Sequence, residues 1–307
     1  MIYDIIGDIH GQYEKLCGLL DKLGYEKRDG VFVPPEGHQA IFVGDLVDRG
    51  AGQLLVLETV FSMIDRGYAR AVMGNHEYNA IGYATAHPKG GFIRAHTDRN
   101  AATHQAFLKE VPFGSKAHEY WLSRFFELPL WLDLGAFCVV HACWDRTAMQ
   151  ALLPHLTEDN CLKKDTFTTV ATTPDTEMAL ERILKGVEIF LPEHIFIKDG
   201  QGIDRQNVRL QWWQPDLSLP VVAISAASNC DISAISPDLV VPVDFVAAHT
   251  KPVFIGHYWL VGEPALLSKS VVCVDYSAGG RGYATAYRFD ETAPKLSPKN
   301  FVQYRPS

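Results

Sequence analysis

The sequence has no long hydrophobic run, no excess of positive charge and no pair of closely spaced cysteines. No segment approaches the roughly 18 apolar residues that a membrane-spanning helix needs, so no membrane protein is predicted. The formal net charge is -8 and the isoelectric point is about 5.8. This charge balance argues against stable binding to nucleic acid or to an anionic membrane.

The six cysteines are dispersed and form no CxxC pair, so they predict neither a disulfide framework nor a cysteine-rich zinc site. The first apolar run, residues 2–6, is too short for the apolar part of a signal peptide and has no basic flank. These two absences predict a cytoplasmic protein in which the cysteines are packing residues.

What is present is an ordinary globular composition, with 47% hydrophobic and 21% charged residues. A chain of 307 residues can bury a substantial core as one large domain or as two smaller ones. We find no internal repeat and no low-complexity linker, so we predict a single domain over residues 1–307.

The first third of the chain alternates strand and helix patterns. Residues 2–6, 40–43 and 69–73 are apolar and predict buried strands, while residues 12–23 and 54–64 carry apolar side chains at helical spacing. This βαβαβ order predicts an α/β fold with a parallel sheet and right-handed crossovers.

The rest of the chain is less regular. Residues 101–127 predict a helix, residues 137–140 predict a strand, and residues 176–185 predict a helix that Gly186 ends. Short strands are predicted near the end of the chain, at residues 252–255, 271–274 and 283–289.

Five predicted strands end in side chains that can bind metal ions. The segments are Gly7-Asp8-Ile9-His10-Gly11, Gly44-Asp45-Leu46-Val47-Asp48-Arg49-Gly50, Gly74-Asn75-His76-Glu77, Val140-His141 and Gly256-His257. Ligands bind beyond the carboxyl ends of the strands in an open α/β sheet, so we expect these side chains to converge.

The candidate metal ligands mix oxygen and nitrogen donors, namely Asp8, His10, Asp45, Asn75, His141 and His257. Such a set suits Mn, Fe, Zn or Ni and argues against a structural zinc site built from cysteines. Asp45 could bridge two ions through its two oxygens. Two ions about 3.5–4 Å apart could activate a water molecule and clamp a phosphate group.

Three of these segments resemble the signature of the calcineurin-like metallophosphoesterases, namely residues 7–11, 44–50 and 74–77. The full GDxVDRG and GNHE forms are similar to the phosphoprotein phosphatase branch, which includes serine/threonine protein phosphatases and bacterial diadenosine tetraphosphate hydrolases. The resemblance is specific over residues 1–80, and it rests on few residues around 138–145 and 252–290. It implies a four-layer αββα fold, in which helices flank a central β-sandwich with a dinuclear metal site at one edge.

The resemblance also implies two divalent ions per chain, with manganese as the first choice, and a division of the ligands between them. The first ion would take Asp8, His10 and Asp45, and the second would take Asp45, Asn75, His141 and His257.

The implied catalytic residues are His76, Asp48 and Arg49. His76 would protonate the leaving oxygen, oriented by Asp48, and Arg49 would bind the phosphate. These roles agree with elementary chemistry, because an imidazolium paired with a carboxylate is a good proton donor near neutral pH. A guanidinium group matches two phosphate oxygens with two donors.

Two features depart from the family pattern. Trp144 stands where family members usually carry a small residue, and it could narrow or shape the substrate cleft. The branch often has a second phosphate-binding arginine between the two late histidines; Arg205 and Arg209 are candidates, but no motif selects either. We interpret residues from about 145 to 250 as an insertion or cap region that shapes the cleft.

The other polar residues have ordinary interpretations. Glu77 can stabilise the start of a helix, and histidines outside the motifs, such as His104, are interpreted as surface or structural residues. Trp212 and Trp213 are interpreted as packing residues, with stacking on a nucleobase as the alternative.

The sequence therefore predicts a metal-dependent phosphoesterase that acts on a phosphorylated protein, peptide or nucleotide. The leading hypothesis is a phosphomonoesterase of the serine/threonine protein phosphatase type. The alternative is a hydrolase of diadenosine tetraphosphate or related dinucleotides. A third hypothesis, a non-enzymatic metal-binding module, predicts missing ligands, and none is missing.

Overall fold

The computed structural model describes residues 1–198, 202, 204–226, 230–245, 247 and 249–306. The strands of these residues are β1 (Ile2–Ile6), β2 (Glu26–Arg28), β3 (Val31–Val33), β4 (His38–Phe42), β5 (Ala69–Ala71), β6 (Trp131–Asp133), β7 (Cys138–Val140), β8 (Glu188–Phe190), β9 (Ile197–Lys198), β10 (Asp204–Arg205), β11 (Asn207–Arg209), β12 (Val253–Ile255), β13 (Val271–Cys273), β14 (Ala284–Asp290) and β15 (Phe301–Tyr304). The α-helices are α1 (Tyr13–Leu23), α2 (Gln53–Asp65), α3 (Asn75–Ala84), α4 (Asp98–Glu110), α5 (Lys116–Phe125), α6 (Arg146–Leu152), α7 (Phe167–Thr172), α8 (Pro174–Lys185) and α9 (Val221–Ile224). Among these helices, none combines the length and the apolar composition that crossing a lipid bilayer requires.

The larger sheet has five strands in the order β15-β14-β1-β4-β5. Strands β1, β4 and β5 are parallel, as the βαβαβ pattern predicts, with Ile5 opposite Ile41. Strand β14 pairs with β1 in the antiparallel sense, which places Tyr287 on the other side of Ile5. The parallel prediction is therefore confirmed for three strands, and the last part of the chain adds an antiparallel edge.

The second sheet has four strands in the order β13-β12-β7-β6. Side chains from both sheets form one buried core, which includes Ile5 and Ile41 from the first sheet and Val139, Phe254 and Val272 from the second. Strands that are covered on both faces read as continuous apolar runs, as they do here. The two sheets form a sandwich, so the predicted α/β sandwich fold is confirmed.

Helices cover the outer faces of the sandwich. Helix α1 buries Leu16, Leu19 and Leu20 completely, and burial of each leucine contributes roughly 1.5–3 kcal/mol. The helix ends at Gly24, whose φ of 91° is favourable for glycine because it has no Cβ. This helix begins three residues after His10, so its packing fixes the first metal-binding loop against the sheet.

The helix predicted over residues 101–127 is two helices, α4 and α5. The break contains Pro112, which has no backbone N–H, and Gly114 at φ 71°. Ser115 caps the start of α5, where its hydroxyl accepts a hydrogen bond from the backbone N–H of His118. The predicted helix over 176–185 is confirmed as α8, and it ends at Gly186.

The region from 145 to 250 contains short helices and two-stranded pairs, β8 with β11 and β9 with β10. It is tied to the sandwich by Trp212, which is fully buried and donates from Nε1 to the carbonyl oxygen of Ala142 at 2.9 Å. Tyr258 donates to the same carbonyl at 3.3 Å. Because Ala142 follows His141, this anchor holds the region next to the strand ends.

Candidate metal centre

The loops that follow the strands carry an unusual backbone conformation. His10, Asp45, Asp48, Arg49 and His257 all have a positive φ, between 49° and 71°. Such left-handed conformations cost roughly 1–2 kcal/mol for residues other than glycine. They persist only where surrounding contacts hold them, and they bring all five side chains to one end of the sandwich.

Glu77 supplies much of that support. Its buried carboxylate accepts hydrogen bonds from the backbone N–H groups of Asp45 at 2.9 Å, Leu46 at 2.8 Å and Gly74 at 2.9 Å. The bond from Gly74 is the helix-start contribution predicted from the sequence. The other bonds join two loops that lie about 30 residues apart in the chain, and nothing in the local sequence indicated them.

The first ligand group contains His10, Asp45 and His76, whose ligand atoms lie within 4.8 Å of one another. Nε2 of His10 lies 3.6 Å from Oδ2 of Asp45, and Nε2 of His76 lies 3.9 Å from the same oxygen. Nδ1 of His10 donates a hydrogen bond to the carbonyl oxygen of Val47 at 2.8 Å. Nδ1 therefore carries the proton, and the lone pair of Nε2 is left to bind a metal ion.

The second ligand group contains Asp45, His141 and His257. Nε2 of His141 lies 3.5 Å from Oδ1 of Asp45 and 3.1 Å from Oδ1 of Asn75. Nδ1 of His141 bonds the carbonyl oxygen of Val43 at 2.7 Å, which fixes that ring as well. The two oxygens of Asp45 therefore face different groups, which is the arrangement that a bridging carboxylate requires.

Asp8 lies beside these groups but belongs to neither. Its two carboxylate oxygens accept from the backbone N–H of His257 at 3.1 and 3.3 Å. Burial and the nearby carboxylates of Asp275 and Asp45 raise its pKa well above the usual value. Of the six predicted ligands, His10, His141 and His257 share ligand groups with Asp45, Asn75 contacts His141, and Asp8 lies next to them.

The electrostatics of the centre fit divalent cations. Burial lowers the pKa of His10 to about 3, and His76 adds to the effect. Burial also lowers the pKa of His257 far below its usual value, with Arg209 contributing. Metal ions bind the neutral form of imidazole. Within the described residues, Nε2 of His10 and Nε2 of His257 are buried without a hydrogen-bond partner, so both are available as ligands.

Asp45 supplies negative charge next to the neutral imidazoles of His10 and His257. Burial alone would raise its pKa, but His141, His76 and His10 together hold that pKa well below the usual value. The carboxylate is therefore ionised at neutral pH. The ionised carboxylate of Asp45 and the neutral imidazoles of His10 and His257 are therefore suited to bind cations.

A second layer lies next to the ligands. Nδ1 of His76 bonds Oδ2 of Asp48 at 2.5 Å. Burial opposes protonation of His76, but Asp45 and Asp48 outweigh it and raise the pKa. Oδ1 of Asp48 forms a hydrogen bond with His104 at 2.9 Å. The backbone N–H of Asp48 donates a hydrogen bond to the side-chain oxygen of Gln53 at 2.7 Å. The sequence interpretation missed both His104 and Gln53.

Arg49 is exposed at the rim of the centre. Its guanidinium carbon lies 4.1 Å from the ring centroid of Trp259, a cation–π contact. The same ring lies 5.6 Å from that of His10. The backbone N–H of Trp259 donates to the buried Asp275 at 2.6 Å, so Trp259 and Asp275, neither of which was predicted, hold Arg49 beside the ligands.

The three substrate-binding candidates occupy different places. Trp144 is buried in the hydrophobic core, only 5% exposed. Arg205 lies in β10, where it pairs with Ile197 of β9. Arg209 lies at the end of β11; its guanidinium is 5.7 Å from the ring of Tyr258, next to His257, and it pairs with Glu188 at 3.1 Å.

Comparisons with known proteins agree with this geometry. A family model described as calcineurin-like phosphoesterase matches residues 1–191, more than half of the chain. The asymmetrical bis(5'-nucleosyl)-tetraphosphatase PrpE of Halalkalibacterium halodurans is 49% identical over 76 residues, which cover 25% of this chain and 31% of that protein. The protein of the same name from Bacillus subtilis is 42% identical over 88 residues, or 29% and 36% of the two chains. The chain thus matches about a third of the length of these curated relatives.

Among solved structures, the cold-active protein-tyrosine phosphatase of a psychrophilic Shewanella species is similar over 99% of this chain and 80% of that one. The TM-score is 0.52 and the identity is 15%. At this identity the likeness shows the fold alone.

Proposed function

The chain belongs to the calcineurin-like phosphoesterase family, and we propose that within it the protein hydrolyses a phosphoanhydride bond of dinucleoside polyphosphates. The observation that carries the reaction type is the position of Asp45 in two buried ligand groups beside the His76–Asp48 pair. The relatives named bis(5'-nucleosyl)-tetraphosphatase support the substrate class. They favour the nucleotide hypothesis over the protein phosphatase hypothesis, although both use the same centre.

Two divalent ions would be held by the predicted ligands, because Asp45 belongs to both ligand groups and Asp8 lies next to His257. The mixed nitrogen and oxygen donors suit manganese, iron, zinc or nickel, and we propose manganese first because the family resemblance implies it. When bound, such ions would activate water for attack and offset the negative charge of the phosphate oxygens.

His76 delivers the proton that the leaving oxygen needs. The bond from Nδ1–H to Asp48 fixes the ring orientation, so the proton on Nε2 faces the centre. Burial disfavours the protonated form of His76, but Asp45 and Asp48 outweigh it and raise the pKa of the ring. Asp48 holds the imidazolium in place by accepting its Nδ1–H and compensating its charge.

Arg49 and Arg209 bind the phosphate chain from two sides. Arg49 is exposed and held on Trp259, while Arg209 lies against Tyr258 on the side of His257. A polyphosphate carries more negative charge than a monoester, so a second guanidinium group suits it. We propose one domain over residues 1–307 in which residues 145–250 shape this cleft, because Trp212 ties that region to Ala142.

Cys138, Cys143 and Cys273 are buried thiols. Buried thiols and a nucleotide substrate suit a reducing compartment, so we propose the cytoplasm.

The deciding experiment compares substrates on one sample of manganese-loaded protein. Diadenosine tetraphosphate, a phosphoserine peptide and p-nitrophenyl phosphate are assayed together, with products separated by chromatography. We expect kcat/KM for the dinucleotide to exceed that for the peptide by at least ~10-fold, and ATP plus AMP to be the products. A higher kcat/KM for the peptide than for the dinucleotide would favour the protein phosphatase hypothesis instead. Loss of all measured activities in Asp45→Asn would assign those activities to this centre.

A further inference from the structure

We propose that His104 is a positioning residue for the general acid, because it holds the Asp48 carboxylate in the orientation that His76 requires. This inference rests on the proposed function and adds a third member to the His76–Asp48 pair. Helix α4, on which His104 lies, contributes no residue to the motifs that define the centre.

The contact is direct and buried. Nδ1 of His104 lies 2.9 Å from Oδ1 of Asp48, while Oδ2 of the same carboxylate bonds His76. Both side chains are almost fully buried. Carboxylate oxygens of an ionised aspartate only accept, so Nδ1 of His104 carries the proton and donates it to this bond.

The rest of the His104 ring makes aromatic contacts. Its centroid lies 5.2 Å from that of Tyr83 and 5.1 Å from that of Phe107. Nε2 is buried and has no hydrogen-bond partner among the residues that the structure describes. An apolar side chain of similar size would fill such a pocket without leaving a polar atom unpaired. The bond to Asp48 is therefore the polar interaction that explains a histidine at this position.

The bond has a mechanical consequence. A carboxylate held by one oxygen can rotate, and its free oxygen then competes for the donor. Asp48 is held at three points: His76 bonds one oxygen, His104 bonds the other, and Gln53 receives the backbone N–H. With Oδ1 engaged by His104, Oδ2 stays on His76, and Nε2 of His76 keeps its direction toward Asp45.

The test compares His104→Leu, which removes the donor, with His104→Asn, whose amide N–H can replace Nδ1–H. The matched control is His118→Leu, because His118 is equally buried, packs near Phe107 and makes its hydrogen bond to the backbone of Gly114. Each variant is assayed on aryl phosphates whose leaving groups range from acidic to weakly acidic phenols.

We expect His104→Leu to lower kcat roughly 10-fold for the least acidic leaving group, which needs the proton most, and less than about 3-fold for the most acidic one. KM and metal content should stay unchanged, His104→Asn should recover most of the loss, and His118→Leu should show no leaving-group dependence. An equal loss for every leaving group, or the same pattern in His118→Leu, would overturn the inference.

A second measurement does not depend on activity. The proton between His76 and Asp48 is expected to give a far-downfield proton resonance that is lost in His104→Leu and retained in His104→Asn and His118→Leu. If the protein cleaves aryl phosphates but no dinucleoside polyphosphate, the proposed substrate fails and His104 keeps its role. If the resonance survives in His104→Leu, the inference fails whatever the substrate is.

Discussion

Residues 1–80 and residues 145–250 contribute to the same centre in different ways. The first region supplies His10, Asp45 and Asp48 from loops in left-handed backbone conformations and His76 from the start of helix α3, and buried hydrogen bonds hold these segments. The second region reaches the rim with Arg209, which is partly exposed and shares its charge with Glu188. We therefore propose that the buried loops of the first region determine the reaction chemistry, whereas the second region contributes substrate contacts at a partly exposed surface.

The two regions also differ in the role of their glutamates. Glu77 is fully buried and accepts only from backbone N–H groups, so it sets the geometry of two loops. Glu188 is partly exposed and bonds the side chains of Arg209 and Asn207. A surface ion pair of this kind contributes little to stability. We therefore expect changes in the first region to remove activity and changes in the second to adjust affinity.

The largest effect is expected for Asp45→Asn. The carboxylate faces both ligand groups, so its replacement by a neutral amide should weaken both ions together. Metal analysis after desalting should give fewer than one ion per chain, and activity should fall by roughly 10³ or more. Asp133→Asn is the control, because that carboxylate is exposed and pairs with Lys251. Two ions per chain in Asp45→Asn would contradict a bridging role.

A smaller effect is expected for His76→Asn, which also separates two roles for that residue. Its Nε2 lies close enough to Asp45 to belong to a ligand group, yet its Nδ1 is engaged by Asp48. As a general acid, it should cost roughly 10²–10⁴ in kcat when replaced, with metal content nearly unchanged. His118→Asn provides a buried histidine outside the centre for comparison. Loss of metal in His76→Asn would mean that His76 is a ligand instead.

These differences explain which parts of the molecule could be predicted from the sequence. Asp45 and His76 could be found because each follows a strand and a glycine, a local pattern that fixes direction as well as chemistry. The strands of the sandwich could be found because both of their faces are apolar. His104 and Asp275 could not be found, because each acts through a contact with a residue more than 15 positions away.

Trp144 also shows that local sequence does not determine long-range contacts. Its position after His141 suggested a role in the cleft, but the direction of a side chain after a strand depends on what packs against it. The structure places it in the core instead. In the described part of the second region, the short strands form two-stranded pairs, and such short segments carry little local signal in the sequence.

The smallest effect is expected for Arg209→Ala, and comparison with Arg205→Ala sharpens the contrast between the regions. The sequence offered both arginines equally, but Arg209 lies against Tyr258 and lowers the pKa of the neighbouring His257, so its charge reaches the centre. Part of that charge is already offset by Glu188.

We therefore expect KM for diadenosine tetraphosphate to rise roughly 5- to 10-fold in Arg209→Ala with kcat little changed, since a charge-assisted hydrogen bond contributes about 1.5–3 kcal/mol before such offsets. Arg205→Ala should change KM less than about 2-fold, because the Arg205 backbone pairs with β9, whereas the Arg209 guanidinium lies next to Tyr258. Steady-state kinetics at constant ionic strength give KM and kcat for both variants. A loss of kcat in Arg209→Ala as large as that in His76→Asn would mean that the second region takes part in the chemical step, and the division between the two regions would then be wrong.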